Sequence, residues 1–297
     1  MSILLDSQTT VIVQGMTGRE GSLRTAFMQG YGTRIVGGVT PGRGGEEVHG
    51  LPVYDTVQQL ISDKGPVDAS VTFIPGPALK SAVYEAVDAG IKFIVSPVER
   101  IPVHDVIDMV HYALKHDALL LGPGSLGLIT PDQAAMGWLG GNVDWAKTLF
   151  DPGYVGVISR SGGQSGTVPW ALKVAGLGIS TALHIGTEPV LGLTMSDVLR
   201  RFEADDQTRA VAIFGEIGGT LEEEAAESVA KGEFTKPLVV FIAGAWAPEG
   251  MRFSHASSII EGGKGTAQGK IKALTEAGAV VVESPEEIAP RIKELTQ

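Results

Sequence analysis

The sequence predicts an α/β protein built from two successive domains, each with a parallel sheet covered by helices. Short apolar runs rich in β-branched residues alternate with segments of helical periodicity along the chain. Glycine clusters, drawn from a total of 40 glycines, follow directly after many of these runs. Such alternation is typical of βαβ units, whose crossover helices cover both faces of a sheet. A chain of 297 residues is long enough for two such domains.

The first domain is predicted to span residues 1–145 and to be Rossmann-like. Its strands are expected at residues 10–13, 34–39, 69–74, 93–95 and 119–121. Helices are expected at residues 21–29, 57–62, 79–89 and 104–115. Residues 122–152 are rich in glycine, proline and other turn formers, and we expect them to connect the two domains.

The second domain is predicted to span residues 146–297 and to be flavodoxin-like. Its strands are expected at residues 154–158, 180–184, 210–214, 238–242 and 279–282. Helices are expected at residues 167–175, 194–203, 221–231 and 266–277. In open α/β sheets, ligands bind beyond the carboxyl ends of the strands. The glycine clusters lie at those ends, so one edge of each sheet is expected to be functional.

Composition excludes several classes of function. The chain has no cysteine, which excludes disulfides, thiolate metal sites and a cysteine nucleophile. Its net charge of −11 argues against broad nucleic-acid binding. We find neither an 18-residue apolar run nor a secretory leader in these residues, so no membrane association is predicted and a cytoplasmic location is expected. No His/Asp/Glu grouping has ligand spacing that stands out, so no metal site is predicted on this chain.

A glycine-rich turn follows the first predicted strand. Gly15, Gly18 and Gly21 are spaced G-x-x-G-x-x-G, which differs from the dinucleotide fingerprint G-x-G-x-x-G. A turn of this kind directs the N–H groups of a helix start toward an anion. The next strand is followed by Arg43 among glycines, where a dinucleotide site would have an acidic residue. This pattern favours a phosphorylated ribose, as in coenzyme A or NADP; the alternative is that the glycines only permit tight turns.

A second anion site is predicted in the second domain. Ser161, Gly162 and Gly163 follow a strand and precede a helix, so their N–H groups are placed to hold a phosphate. Glu216 lies at another strand end, between glycines, and His255 lies in a further glycine-rich segment. A histidine that carries a phosphoryl group needs a carboxylate to fix its tautomer and N–H donors for the phosphate. We therefore interpret His255 as a phosphohistidine; the alternative is a structural histidine at a loop corner.

Several motifs along the whole chain carry a family resemblance. They include Gln14-Gly15-Met16-Thr17-Gly18, Thr40-Pro41-Gly42-Arg43-Gly44-Gly45, Gly215-Glu216-Ile217-Gly218-Gly219, His255-Ala256 and Gly262-Gly263-Lys264-Gly265-Thr266. The chain resembles the α subunits of succinyl-CoA synthetase, which are ADP- or GDP-forming carboxylate–CoA ligases. The resemblance implies that His255 is the phosphohistidine, Glu216 its orienting carboxylate, and Ser161 and Gly162 part of the phosphate site.

The resemblance also implies a coenzyme, a partner and a reaction. The first domain would bind coenzyme A through Thr17, Gly18, Glu20, Thr40, Pro41, Arg43, Ile74, Pro75 and Glu99. ATP or GTP, with Mg²⁺, would bind to a separate ATP-grasp β subunit, in an αβ or α2β2 assembly. A carboxylate, coenzyme A and the nucleotide would then give an acyl-CoA by way of phosphohistidine and an acyl phosphate.

The chain departs from the family at three places near the expected acid pocket. The family usually has Gly-Pro-Asn-Cys-Pro-Gly where this chain has Gly122-Pro123-Gly124-Ser125-Leu126-Gly127. Differences also follow Ser161-Gly162 and Ile185-Gly186. The substrate pocket is thus expected at Gly124, Ser125, Gly166, Thr187 and Glu188. Its altered residues leave malate, citrate or a sulfonated carboxylate as alternatives to succinate. An alternative of another class is a non-catalytic regulatory protein that binds coenzyme A or NADP.

Overall fold

A computed structural model of the chain describes residues 2–246, 260 and 265–297. It contains two seven-stranded sheets with interleaved helices, which confirms the α/β prediction. The strands of the first sheet are β1 (Thr10–Gln14), β2 (Arg34–Val39), β3 (Glu47–Val48), β4 (Leu51–Tyr54), β5 (Ala69–Thr72), β6 (Phe93–Val95) and β7 (Leu119–Leu121). Its helices are α1 (Arg19–Tyr31), α2 (Val57–Lys64), α3 (Leu79–Asp88) and α4 (Val103–Lys115).

The order of the first sheet is β3-β4-β2-β1-β5-β6-β7. Without β3, this is the doubly wound Rossmann order. Successive strands are added on one side of β1 up to β4 and on its other side from β5 onward, so the switch point lies between β1 and β5. The loops after these two strands therefore open a crevice at the carboxyl edge of the sheet. β3 and β4 form an antiparallel hairpin, which the sequence did not predict. Its turn residues His49 and Gly50 both have positive φ, as two-residue hairpins require.

The second sheet contains the strands that follow residue 126. They are β8 (Gly127–Thr130), β9 (Ala134–Gly137), β10 (Pro152–Ser159), β11 (Ile179–His184), β12 (Ala210–Glu216), β13 (Leu238–Ala243) and β14 (Val280–Val282). The helices here are α5 (Val143–Leu149), α6 (Thr167–Val174), α7 (Met195–Glu203), α8 (Leu221–Ala230), α9 (Ala267–Glu276) and α10 (Ile288–Thr296).

The second sheet has the order β14-β13-β12-β10-β11-β8-β9. Its five parallel strands follow the flavodoxin-like order 2-1-3-4-5 when numbered from β10, with the switch point between β10 and β12. β8 pairs antiparallel to β11 and forms a hairpin with β9. Residues 122–152 are therefore not only a connection, because they contain this hairpin and α5. The hairpin belongs to the second sheet, although the predicted boundary at residue 145 lies beyond it.

The cores of both sheets are formed by the apolar runs that predicted the strands. Val11, Val13 and Val71 are fully buried in the first sheet, and Val157 and Ile213 are buried in the second. Side chains on both faces of these strands are hydrophobic, because helices cover both sides of a parallel sheet. The carboxyl ends of the strands are thereby held rigidly for the loops that follow. Within the described residues, none of the helices has the length and apolar character needed to cross a bilayer.

Candidate functional site

Two clefts flank Ile74 and Pro75 at the switch point of the first sheet. One has a volume of about 390 Å³ and the other of about 470 Å³. The residues predicted to bind coenzyme A that line one or both clefts are Thr17, Gly18, Glu20, Thr40, Pro41, Ile74 and Pro75. The structure thus brings seven of the nine predicted coenzyme residues together around one loop.

The glycine turn beside these clefts has no room for side chains. Gly15 has φ of 84°, and a Cβ there would lie 2.3 Å from the carbonyl oxygen of Phe73. A Cβ at Gly21 would lie 2.1 Å from the carbonyl oxygen of Gly15. α1 begins one residue after Gly18, whose backbone N–H donates to the Gly15 carbonyl at 3.1 Å. The glycines therefore let the turn fold tightly against β5 and aim the start of α1 at the crevice.

Arg43 and Glu99, the other two predicted coenzyme residues, lie outside the linings of both clefts. Arg43 forms an exposed two-point ion pair with Glu46, in which Nη2 lies 2.8 Å from Oε2. The hydrogen bond from Arg43 holds the pKa of the Glu46 carboxyl below its ordinary value. Glu99 instead accepts a hydrogen bond from the hydroxyl of Thr187 at 3.2 Å. Their assignment to the coenzyme stays a prediction.

The tentative substrate residues occupy two places in the structure. Gly124, Thr187 and Glu188 lie at the seam between the sheets, where the backbone N–H of Arg100 donates to Glu188 Oε1 at 2.5 Å. A Cβ at Gly124 would lie 2.1 Å from Oγ1 of Thr187. Ser125 is fully buried and donates its hydroxyl to the carbonyl of His184. Thr187, Glu188 and Ser125 are thus hydrogen-bonded to Glu99, Arg100 and His184, whereas Gly166 lies apart from them, in the lining of a cleft with Gly163.

The predicted phosphate loop follows β10, at the switch point of the second sheet. Ser165 donates through its backbone N–H (3.3 Å) and its hydroxyl (2.8 Å) to the carbonyl of Gly162, which closes the loop into a turn. α6 begins at Thr167, where the sequence pattern placed its start. A cleft of about 340 Å³ opens here. Its lining includes Gly162, Gly163, Gly166 and Trp138.

A buried histidine fixes the backbone just before this loop. Nε2 of His184 lies 3.1 Å from the carbonyl oxygen of Arg160, and Nδ1 lies 2.9 Å from the backbone nitrogen of Leu126. Because the Leu126 N–H can only donate, Nδ1 is the acceptor and Nε2 carries the proton that reaches Arg160. His184 therefore has a structural role, tying β11 and the start of β8 to the phosphate loop.

Glu216 ends β12, which lies beside β10. Its backbone N–H donates to Oε1 of Glu222 at 3.1 Å. Glu222 is completely buried, and burial alone would raise its pKa. The cations of Arg160 and Lys270, with hydrogen bonds from Lys270 and from Glu216, hold the pKa of Glu222 below its ordinary value. The buried carboxylate of Glu222 thus contacts the backbone of the residue whose own carboxylate is predicted to be catalytic.

His255 lies outside the described residues, but the chain on both sides of its segment is described. Before the segment, the backbone N–H of Ile217 donates to the carbonyl of Ala243 at 3.2 Å. After it, the backbone N–H of Gly218 donates to the carbonyl of Gly265 at 2.7 Å. Ala243 and Gly265, the described residues before and after the His255 segment that make these bonds, therefore both contact the loop that starts at Glu216.

Some residues at these sites were missed by the sequence analysis. They are Trp138, at the wall of the phosphate-loop cleft, and the buried charges Arg160, Glu222 and Lys270. The sequence contained one signal for this cluster. Arg160 directly follows a strand predicted to be buried, and a buried charge needs a partner of opposite charge. Among the described residues, no group of three or more His, Asp or Glu side chains is arranged to hold a metal ion.

The chain is similar to known protein families and to known proteins. Residues 6–99 match the CoA binding domain family, and residues 158–280 match the CoA-ligase family. Succinate–CoA ligase [ADP-forming] subunit alpha of Aquifex aeolicus is 45% identical over 99% of this chain and 95% of its own length. A subunit of an ADP-forming sulfoacetate-CoA ligase from Acholeplasma sp. is 41% identical over 99% of this chain and 98% of its own length.

One solved structure is similar over nearly all of this chain. ATP citrate lyase of Methanosaeta concilii, in complex with (3S)-citryl-CoA, matches with a TM-score of 0.91 and 25% identity. The match covers 99% of this chain but 51% of that one, so the present chain spans about half of its length.

Proposed function

The chain belongs to the family of succinate–CoA ligase α subunits, as its motifs predicted, and on this basis we propose that it catalyses the ADP- or GDP-forming ligation of a carboxylic acid to coenzyme A. One observation carries the proposal. Ala243 and Gly265, which flank the segment with His255 in the sequence, both accept backbone hydrogen bonds from the Glu216 loop, and that loop shares a switch point with Ser161, Gly162 and Gly163. The chain thus enters and leaves the His255 segment beside the predicted carboxylate and the predicted phosphate loop, which supports a phosphohistidine there.

The reaction proceeds by three transfers. The γ-phosphoryl group of the nucleotide passes to a ring nitrogen of His255, and the nucleoside diphosphate leaves. The phosphoryl group passes next to an oxygen of the acid, giving an acyl phosphate and regenerating the histidine. The thiol of coenzyme A, losing its proton, finally attacks the acyl carbon and releases phosphate. Each transfer depends mainly on positioning and on stabilisation of negative charge.

The chain's own residues supply the positioning. The carboxylate of Glu216 holds the His255 ring in one tautomer by accepting its N–H, which leaves the other nitrogen for the phosphoryl group. The N–H groups of Gly162 and Gly163 bind the phosphate oxygens beside Ser161, whose own N–H donates to Oγ of Ser159 at 3.2 Å. The nucleotide and Mg²⁺ bind to an ATP-grasp β subunit, in an αβ or α2β2 assembly. The name of the Aquifex relative, an alpha subunit, supports a partner subunit.

Coenzyme A is proposed to bind at the first switch point. The two clefts on either side of Ile74 and Pro75 have the size that a nucleotide and its pantetheine arm require. The start of α1 faces the crevice, where helix N–H groups favour phosphate. Thr17 and Thr40 lie together there, with the Thr17 nitrogen 3.4 Å from Oγ1 of Thr40.

The acid is proposed to bind in the 340 Å³ cleft beside the phosphate loop. Trp138 lines both this cleft and the larger coenzyme cleft, so an acyl group there lies between the phosphoryl donor and the thiol. Of the five residues predicted for the acid, only Gly166 lines this cleft. Succinate, malate, citrate and sulfoacetate are the acids to compare, the last because the Acholeplasma relative is a subunit of a sulfoacetate-CoA ligase.

The proposal is tested by a ligase assay with the chain and its β subunit. ADP or GDP release is measured with coenzyme A and each acid in turn, for the wild type and for His255→Asn. We expect release that requires both coenzyme A and one preferred acid, and that is lost in the variant. Binding of coenzyme A or NADP without any acid-dependent release would instead support a non-catalytic regulatory protein.

A further inference from the structure

Four charged side chains meet beneath the loop that begins at Glu216. Nζ of Lys270 lies 2.5 Å from Oε2 of Glu222 and 2.8 Å from Oε2 of Glu223. Nη1 of Arg160 lies 3.8 Å from the same Glu222 oxygen. The side chains of Lys270 and Glu222 are 0% exposed and that of Arg160 is 1% exposed. The cluster holds two cations and two carboxylates, so its charges balance.

The cluster is hydrogen-bonded to both ends of the Glu216 loop, residues 216–219. At the start, Oε1 of Glu222 accepts the backbone N–H of Glu216 at 3.1 Å. At the end, Nζ of Lys270 donates to the carbonyl of Gly219 at 3.0 Å. The single ion pair between Lys270 and Glu222 therefore links the first and last residues of the loop.

The same cluster joins three segments of the second domain. Arg160 directly precedes the phosphate loop, and Glu222 lies in the first turn of α8. Lys270 lies in the first turns of α9, shortly after Gly265, whose carbonyl accepts the N–H of Gly218. Movement of any one segment would separate a buried charge from its partner, and an unpaired buried charge is strongly unfavourable.

An apolar core would hold these helices together equally well, because buried ion pairs are often no better for stability than packed hydrophobic residues. The directional contacts to Glu216 and Gly219 are what apolar side chains cannot supply. We infer that Arg160, Glu222 and Lys270 are positioning residues that fix the Glu216 loop against the phosphate loop. The inference rests on the proposed function, since it concerns the carboxylate that orients the phosphorylated histidine.

The test compares two substitutions on one helix. Lys270→Met keeps an unbranched side chain that is one heavy atom shorter, but removes the charge and the hydrogen bond to Gly219. Lys272→Met is the matched control, because Lys272 is 75% exposed and its ammonium lies 3.9 Å from Glu276. Glu222→Gln combined with Lys270→Met removes one charge of each sign, which keeps the site balanced if Lys270→Met alone folds poorly.

Hydrogen exchange of the backbone amides gives a readout that does not require turnover. In Lys270→Met and in the double variant, we expect the Glu216 and Gly218 amides to lose protection, while amides in the first sheet keep theirs. Lys272→Met should match the wild type. Unchanged protection at Glu216 and Gly218 in a folded variant would overturn the inference.

Kinetics with the β subunit, coenzyme A and the preferred acid give the second readout. We expect kcat to fall about 100-fold in both folded variants, the size of effect that a 1 Å misplacement can have, with an unchanged Kd for coenzyme A. If folded Lys270→Met and the folded double variant have the same kcat as Lys272→Met, the inference is overturned. If the wild type itself shows no turnover, the proposed function fails, while hydrogen exchange still decides whether the cluster holds the loop.

Discussion

The guanidinium carbon of Arg24 lies 4.1 Å from the centre of the Trp138 ring. Arg24 belongs to α1 of the first sheet, and Trp138 directly follows β9 of the second. The cation–π contact therefore joins the helix that begins at the coenzyme clefts to the wall of the phosphate-loop cleft. The ring nitrogen of Trp138 is buried and has no hydrogen-bond partner among the described residues. A buried donor without an acceptor is expected to be used by a ligand.

The first prediction concerns this indole nitrogen. Trp138→Phe keeps an aromatic ring for Arg24 but removes the donor, so the melting temperature should change little. If the donor serves the acid, its KM should rise about 10-fold, the value of one hydrogen bond to a charged group. The Kd for coenzyme A should stay the same. Trp170→Phe is the control, because Trp170 is 51% exposed and lies outside that cleft; an unchanged KM in Trp138→Phe would refute this role.

The second prediction concerns the tight glycine turn. In Gly21→Ala the new Cβ would meet the carbonyl oxygen of Gly15 at 2.1 Å, and backbone atoms cannot give way cheaply. We expect a loss of about 1–3 kcal/mol in the free energy of unfolding, measured with urea. Calorimetry should also show weaker binding of coenzyme A, because the start of α1 shifts. Leu23→Ala, at a position that is 53% exposed on the same helix, should leave both quantities nearly unchanged. Equal behaviour of the two variants would contradict the proposed turn geometry.

The third prediction concerns pH. Arg160 and Lys270 hold the pKa of Glu222 below its ordinary value of 4.5 despite its burial, so the folded chain binds fewer protons there than the unfolded chain. The stability that Glu222 contributes is therefore present above about pH 4.5 and is lost as the pH falls below it. Urea unfolding between pH 6 and about pH 3.5 should show a steeper acid loss in the wild type than in Glu222→Gln. Glu276→Gln, at an exposed site on α9, should keep the wild-type slope. If Glu222→Gln loses stability with falling pH as steeply as the wild type, a group other than Glu222 causes the acid destabilisation.

Much of the fold follows from local sequence patterns. The apolar runs of β1 and β10 were predicted as strands, and the glycine clusters that follow them were predicted to mark the functional ends of the sheets. The hairpin of β8 and β9 was missed because its glycines resemble those of a loop. A Cβ at Gly127 would lie 1.8 Å from the carbonyl oxygen of Met136, so this glycine permits two strands to approach closely. A glycine-rich sequence alone does not distinguish that use from a turn.

The site was less predictable than the fold. Seven of the nine residues predicted for coenzyme A line the clefts of the first sheet, because the family motifs that predicted them lie at or near the strand ends of that sheet. The buried cluster was not found, since Arg160, Glu222 and Lys270 lie far apart in sequence and look like ordinary surface charges. Only the pairing of β10 with β12, together with the packing of α8 against α9, brings these three side chains together.

Transfer of label from γ-labelled nucleotide to this chain tests the central claim most directly. The chain is incubated with its β subunit, Mg²⁺ and labelled ATP or GTP, and the label is then chased with coenzyme A and the preferred acid. The account predicts label that is stable to base and labile to acid, as phosphohistidine is, and that the chase discharges it. His255→Asn should take up no label. Label that persists in His255→Asn, or an active β subunit that leaves the wild-type chain unlabelled, would contradict the account.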